Sequence, residues 1–125
     1  MNEYEELIEE LEGEGIMVEE SDLPDCEGFY RAYGEYRYIG INEEMSVRMK
    51  YPTLMHEAGH DKTMLVGTDG QIEHRAIKYA TERIVPFMDL LEAWVNGNES
   101  VHDLAEHFHV DERFMKKALR IYGLR

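Results

Sequence analysis

The sequence predicts an α+β fold that is mostly helical and carries a small β-hairpin or sheet before its central helix. Apolar residues recur every three or four positions in several separate segments, and this spacing is typical of helices with one buried face. Residues 28–32 and 36–41 are two aromatic-rich runs around Gly34, a pattern that indicates a β-hairpin. The length of 125 residues suits one domain.

The amino-terminal part begins with a predicted helix over residues 2–12, which Gly13 ends. The apolar face of this helix consists of Tyr4, Leu7, Ile8 and Leu11. Residues 16–23 follow as an extended stretch that Pro24 closes, and the hairpin comes next. The strands are therefore expected to precede the central helix, with residues 42–49 as a helical lead-in.

The central helix is predicted over residues 51–61. Pro52 suits the first turn of this helix, where its missing N–H has no partner to lose. Two further helices are expected over residues 72–84 and 87–95, because apolar residues again recur at helical spacing there. Pro86 is expected to end the first of these helices and to begin the second.

The last segment is predicted to form two short helices joined by a tight turn, an outline that resembles a helix-turn-helix. Ser100 followed by Asp103 resembles a capping box, and Asp111 can cap the final helix. We therefore predict a main domain over residues 1–97. Residues 98–125 are predicted to form a C-terminal helical appendage packed on the same domain.

The composition limits the classes of partner. A formal net charge of −14 repels nucleic-acid phosphates, so a protein partner is expected rather than DNA or RNA. Cys26 is the only cysteine, which suits a reducing compartment. The amino terminus is acidic where a secretory signal is basic, and no stretch approaches the roughly 20 apolar residues of a membrane span. We expect a cytoplasmic protein that does not enter a membrane.

The central helix carries the pattern HExxH in residues 56–60. Residues four apart lie one above the other on a helix, so His56 and His60 can direct two imidazole nitrogens at one metal ion. A catalytic zinc ion takes such ligands and keeps one position for water. Glu57 can then accept a proton from that water as a general base. The alternative is an exposed helix turn with two solvated histidines.

A zinc site needs a third protein ligand, and the sequence offers several. The candidates are Glu73, His74, Asp69, Asp61, His102, His107 and His109. Asp61 leaves the helix about 100° away from His60, which suits support of a ligand better than ligation. Glu73 lies near the start of the next helix, and an antiparallel return of that helix would bring it to the metal. The three histidines near the carboxyl end are more typical of ordinary polar positions.

Residues 54–60, LMHEAGH, together with the helix that follows them, resemble the ImmA/IrrE family of metallopeptidases. The family combines an HExxH helix with a helix patterned E-x-x-A-x-x-aromatic-A. That second pattern is matched here by Glu73, Ala76, Tyr79 and Ala80, with Pro86 beyond them. The hairpin and residues 104–110 are similar to flanking segments of short phage and mobile-element members. The resemblance therefore extends over nearly the whole chain.

This resemblance implies a zincin-like metallopeptidase domain over residues 1–97. It implies a zinc ion held by His56, His60 and Glu73, with Glu57 as the catalytic base. It also implies an endopeptidase that cleaves a partner protein, typically the repressor of a prophage or mobile element, and so relieves repression.

Two other function classes stay open at this point. One is a binding module that sequesters a repressor without cleaving it. The other is a DNA-binding protein, because the last helix carries the basic residues Lys116, Lys117, Arg120 and Arg125. The net charge and the acidic start of that helix weigh against DNA.

A peptidase also needs a place for its substrate and a group that stabilises the oxyanion. We expect the strand over residues 36–41 to hold an extended substrate peptide by β-addition. An oxyanion stabiliser is also expected, with His74, Arg75 and several tyrosines as candidates.

Overall fold

The structure is a computed structural model, and it describes residues 1–124. Arg125, predicted as part of the basic last helix, lies outside the described residues. Within residues 1–124 the chain forms six helices and three strands. In chain order these are α1 (Glu3–Gly13), β1 (Ile16–Ser21), β2 (Gly28–Tyr33), β3 (Tyr36–Asn42), α2 (Val47–Lys62), α3 (Asp69–Ile84), α4 (Phe87–Val95), α5 (Val101–Phe108) and α6 (Glu112–Ile121). The predicted class, α+β and mostly helical, is confirmed.

The three strands form one sheet in the order β1-β3-β2. β2 and β3 pair antiparallel around a tight turn, so the predicted hairpin is confirmed. β1 pairs with β3 in parallel, which places the predicted extended stretch on the far side of the hairpin. Ile39 and Ile41 of β3 are completely buried, because strands on both sides and helices on one face enclose them.

The prediction that residues 36–41 form a substrate-binding edge is wrong. β3 is the central strand, so β1 and β2 already use its backbone N–H and C=O groups. β2 is the strand at the edge of the sheet that lies beside α2. The sequence could not separate these cases, because the parallel pairing of β1 joins segments that are distant along the chain.

The central helix begins earlier than predicted. α2 starts at Val47, so part of the expected lead-in belongs to it and Pro52 lies inside the helix rather than in its first turn. A proline there cannot bond to the carbonyl of Arg48 four residues earlier. The backbone N–H of Asp111 donates to that carbonyl instead, at 3.2 Å. A partner from the turn between α5 and α6 thus replaces the missing helix bond.

The carboxyl-terminal helices share the buried cluster of the rest of the chain. Leu104 of α5 and Met115 of α6 are buried together with Leu54 of α2 and Ile39 of β3. Asp111 caps α6 as predicted, accepting the N–H of Phe114 at 3.4 Å. α6 also packs against α3, which places it beside the pair formed by α2 and α3.

None of the helices in residues 1–124 is both long and apolar enough to cross a bilayer.

Candidate metal centre

α2 and α3 bring together three of the residues singled out in the sequence. The Nε2 atom of His56 lies 2.9 Å from one carboxylate oxygen of Glu73, and the Nε2 atom of His60 lies 2.9 Å from the other. One donor atom from each of the three side chains falls within 4.8 Å of the others. In residues 1–124 this is the one such group of three potential ligands.

The approach of α3 to α2 depends on Gly59, next to His60 in sequence. A Cβ atom on Gly59 would lie 2.9 Å from the backbone oxygen of Ala76 and 3.0 Å from its Cα atom. A hydrogen atom in place of a side chain therefore lets the two helices touch. Glu73 lies one turn before Ala76 on α3, so this contact holds its carboxylate above the two imidazoles.

Gly59→Ala is expected to lower the free energy of unfolding by about 1–2 kcal/mol. The steric cost of overpacking, about 1–3 kcal/mol, exceeds the helix-propensity gain of alanine over glycine, about 0.5–1 kcal/mol. Urea unfolding of both proteins measures the difference. Gly70→Ala is the matched control: it is also helical, but the nearest atom to its Cβ is 3.9 Å away, so no loss is expected. Equal stability of Gly59→Ala and the parent would contradict the close contact.

The donors of this group, two imidazole nitrogens and one carboxylate, are of the kind that binds zinc. Each 2.9 Å separation joins an imidazole nitrogen to a different oxygen of Glu73, so the carboxylate contacts both rings. The Glu73 side chain is 53% exposed while the His60 side chain is 11% exposed, so the group has one face open to solvent. An open face is what a catalytic metal ion needs for water or substrate.

Burial shifts the pKa values of two groups in this centre. It lowers the pKa of His56, which favours the neutral imidazole that binds metals, although the Glu73 carboxylate opposes the shift. Burial, joined by the negative charge of Glu73, raises the pKa of Glu57 to about 7, with the Arg31 guanidinium acting in the opposite direction. Glu57 is 9% exposed. A carboxylate in this setting holds and releases a proton near neutral pH.

Asp61 was predicted to support a metal-binding imidazole, but its hydrogen bonds go to other residues. Its carboxylate is almost fully buried and accepts the Tyr30 hydroxyl at 2.7 Å and the Arg37 guanidinium at 3.2 Å. These bonds tie α2 to the hairpin. The Nδ1 atom of His60 is buried and, among residues 1–124, has no hydrogen-bond partner.

The other candidate ligands lie away from the centre or are engaged elsewhere. Asp69 and His74 are exposed on α3, and neither belongs to the group of three donors. His102 contacts Glu112 at 3.2 Å, and His109 contacts Glu3 at 2.7 Å. His107 is exposed as well.

The centre lies in a cleft with two connected cavities. Both are lined by Gly28, His56, Glu57 and Glu73. One cavity continues along the edge strand β2 toward the loop between α2 and α3, where Leu65 lines it. The other continues toward α6. The two cavities therefore share the part of the cleft beside His56 and Glu73.

The α6 side of the cleft contains residues that sequence reasoning did not assign to the site. Phe114 and Lys117, three residues apart on α6, line this cavity with Ile77 of α3. Lys117 forms no ion pair within residues 1–124, and its charge contributes to the lowered pKa of His56. The sequence does place Phe114 and Lys117 on one helix face, but nothing in it shows that α2 lies opposite that face.

The geometry of α6 leaves few of its basic side chains available to bind DNA. Lys117 faces the cleft, and Arg113 pairs with Glu27 across the same cavity. The exposed basic residues left on the described part of α6 are Lys116 and Arg120.

Two predicted oxyanion stabilisers have other contacts. The Arg75 guanidinium donates to the backbone oxygens of Met64, at 3.1 Å, and Val66. It therefore fixes the loop between α2 and α3. The Tyr30 hydroxyl is held by Asp61.

Comparisons with protein-family models, curated proteins and solved structures found no match to this chain.

Proposed function

We propose that this chain is a zinc-dependent endopeptidase of the cytoplasm that cleaves a repressor protein of a prophage or mobile element. The observation that carries the proposal is the meeting of two imidazole nitrogens and one carboxylate in an open cleft, with Glu57 buried beside them. The substrate class rests on the resemblance to the ImmA/IrrE family. Cleavage of the repressor would relieve repression.

His56, His60 and Glu73 would hold the ion, which when bound supplies Lewis-acid polarisation of the scissile carbonyl. Glu57 takes a proton from the attacking water and passes it to the leaving nitrogen. This assignment needs a carboxyl group that is not itself a ligand and that lies in the cleft beside the ion. Glu57 meets both needs, since it lies outside the group of three donors and lines the cleft together with His56 and Glu73.

The edge strand β2 provides a place for the substrate backbone. It borders the cleft through Gly28, Phe29, Tyr30 and Arg31. β2 pairs with β3 on one side, and within residues 1–124 no strand pairs with its other side. An extended peptide added there would run beside the metal ligands, which is the β-addition mode expected from the sequence on a different strand.

The direct test is incubation of the zinc-loaded protein with a purified repressor of the proposed prophage or mobile element. We expect two fragments, whose new termini mass spectrometry locates, and no cleavage after dialysis against a chelator. Intact repressor after incubation with protein of verified zinc content would contradict the proposal.

Lys117 is our candidate for the oxyanion stabiliser. It lines the cleft with His56 and Glu57 and has no carboxylate partner in the described part of the chain, so its charge is available to a developing oxyanion. Lys117→Met is expected to lower kcat by about 10²–10³-fold with little change in KM or zinc content. Steady-state kinetics on the repressor measures both constants.

Lys116→Met is the matched control, because Lys116 is exposed on the same helix and outside the cleft. The two lysines differ in position rather than in charge. If both substitutions change kcat equally, or if Lys117→Met raises KM alone, Lys117 is not the stabiliser.

A further inference from the structure

α4 exposes an unusual number of large apolar side chains. Their exposed fractions are 42% for Phe87, 71% for Met88, 40% for Leu91, 50% for Trp94 and 82% for Val95. At about 100° per residue these five positions fall within an arc of roughly 120° on one face of the helix. We name this face the α4 stripe.

The α4 stripe is not the inward side of the helix. Leu90 and Ala93 face the core and are buried. Isolated exposed apolar residues are normal on protein surfaces, but five on one helix face form a contiguous patch of the kind that marks an interaction site. No residue of α4 lines either cavity of the metal cleft. The α4 stripe is therefore a surface separate from that cleft.

The charges around the α4 stripe indicate what can cover it. Glu92 borders the stripe on α4, is exposed, and takes part in none of the ion pairs found in residues 1–124, whereas Asp89 lies on the other side of the helix. A second copy of this chain would bring the same carboxylate, and a further net charge of −14, against it. A segment with an apolar face bordered by lysine or arginine would instead cover the apolar side chains of the stripe and bring a positive charge to its acidic border.

We propose that the α4 stripe is a docking surface for a cationic amphipathic helix of a partner protein. Apolar residues of the partner helix, recurring every three or four positions, would cover Leu91 and Trp94, while its basic residues would face Glu92. This docking does not depend on peptidase activity. If the chain is a peptidase, the surface would hold a partner away from the scissile bond.

Trp94 reports on the proposal directly, because it is the only tryptophan of the chain. The probes are two synthetic helical peptides with one leucine pattern, one carrying lysines and the other glutamates at the polar positions. We expect the lysine peptide to shift Trp94 emission to shorter wavelength and to saturate at one peptide per chain. The glutamate peptide is expected to bind at least about ten-fold more weakly.

Variants separate docking on the α4 stripe from general attraction to an acidic protein. Leu91→Gln is expected to weaken binding about ten-fold or more, whereas Val47→Gln, an equally exposed apolar position on α2, is not. Glu92→Gln should weaken binding more than Glu9→Gln on α1, which removes the same charge from an exposed position away from the stripe. Circular dichroism melts verify that each variant is folded.

Three outcomes would overturn the proposal. The first is equal binding of the two peptides. The second is an emission shift that follows the concentration of the protein alone, which would identify a second copy as the occupant. The third is an emission shift with vesicles of zwitterionic lipid but none with the lysine peptide, which would identify a membrane surface.

Discussion

Glu57→Gln is expected to lower kcat for repressor cleavage by about 10²–10⁴-fold while the protein keeps its zinc. Glutamine preserves the size of the buried side chain but cannot accept a proton from water. The three donors of His56, His60 and Glu73 do not include Glu57, so metal content should be unchanged. Single-turnover cleavage and metal analysis of the same preparation measure the two quantities.

This variant also separates two of the function classes that the sequence leaves open. A protein that relieves repression by sequestering the repressor would be unaffected by Glu57→Gln, whereas a peptidase would lose its effect on the repressor. Glu82→Gln is the control, because Glu82 is an exposed glutamate on α3 that lines neither cavity. Unchanged cleavage by Glu57→Gln would remove Glu57 as the base.

Glu73→Gln is expected to lower the affinity for zinc by more than about 100-fold. Loss of an outer hydrogen-bond partner of a metal ligand already costs about 10–100-fold, and loss of a ligand should cost more. The two imidazoles that remain come from one helix turn and leave the ion with two protein ligands. Competition with a chromophoric chelator measures the affinity.

The control for this substitution is again Glu82→Gln, which removes the same charge from the same helix away from the cleft. Zinc affinity equal to that of the parent protein would mean that Glu73 is not the third ligand. Asp69 and His74 on the same helix would then be the residues to test.

Local patterns were sufficient for most elements of the fold. The period of apolar residues predicted α1 with Tyr4, Leu7 and Leu11 on its buried face, and these three are buried. The aromatic runs around Gly34 predicted the hairpin. Both predictions depend on interactions between residues close in sequence, where the backbone geometry is known in advance.

The errors arose where distant segments interact. Pro52 lies inside α2, and Asp111, far along the chain, donates to the carbonyl that the proline leaves free. β3 is central because β1 pairs with it in parallel, although β2 lies between them in the sequence. Neither partner is indicated by spacing.

The candidate site shows the same difference between what local sequence patterns predict and what tertiary contacts decide. The one-turn separation of His56 and His60 is a property of any α-helix, so the sequence by itself determined that the two imidazoles share a face, with Glu57 adjacent. Which of seven candidates completes the group was decided by the contact of Gly59 with Ala76, which brings Glu73 within 2.9 Å of both rings. Likewise, only the packing of α6 turned Lys117 into the cleft. The period of apolar residues specifies which face of each helix is buried. Which faces of different helices pack against each other depends on close packing of the whole core, which no local pattern contains.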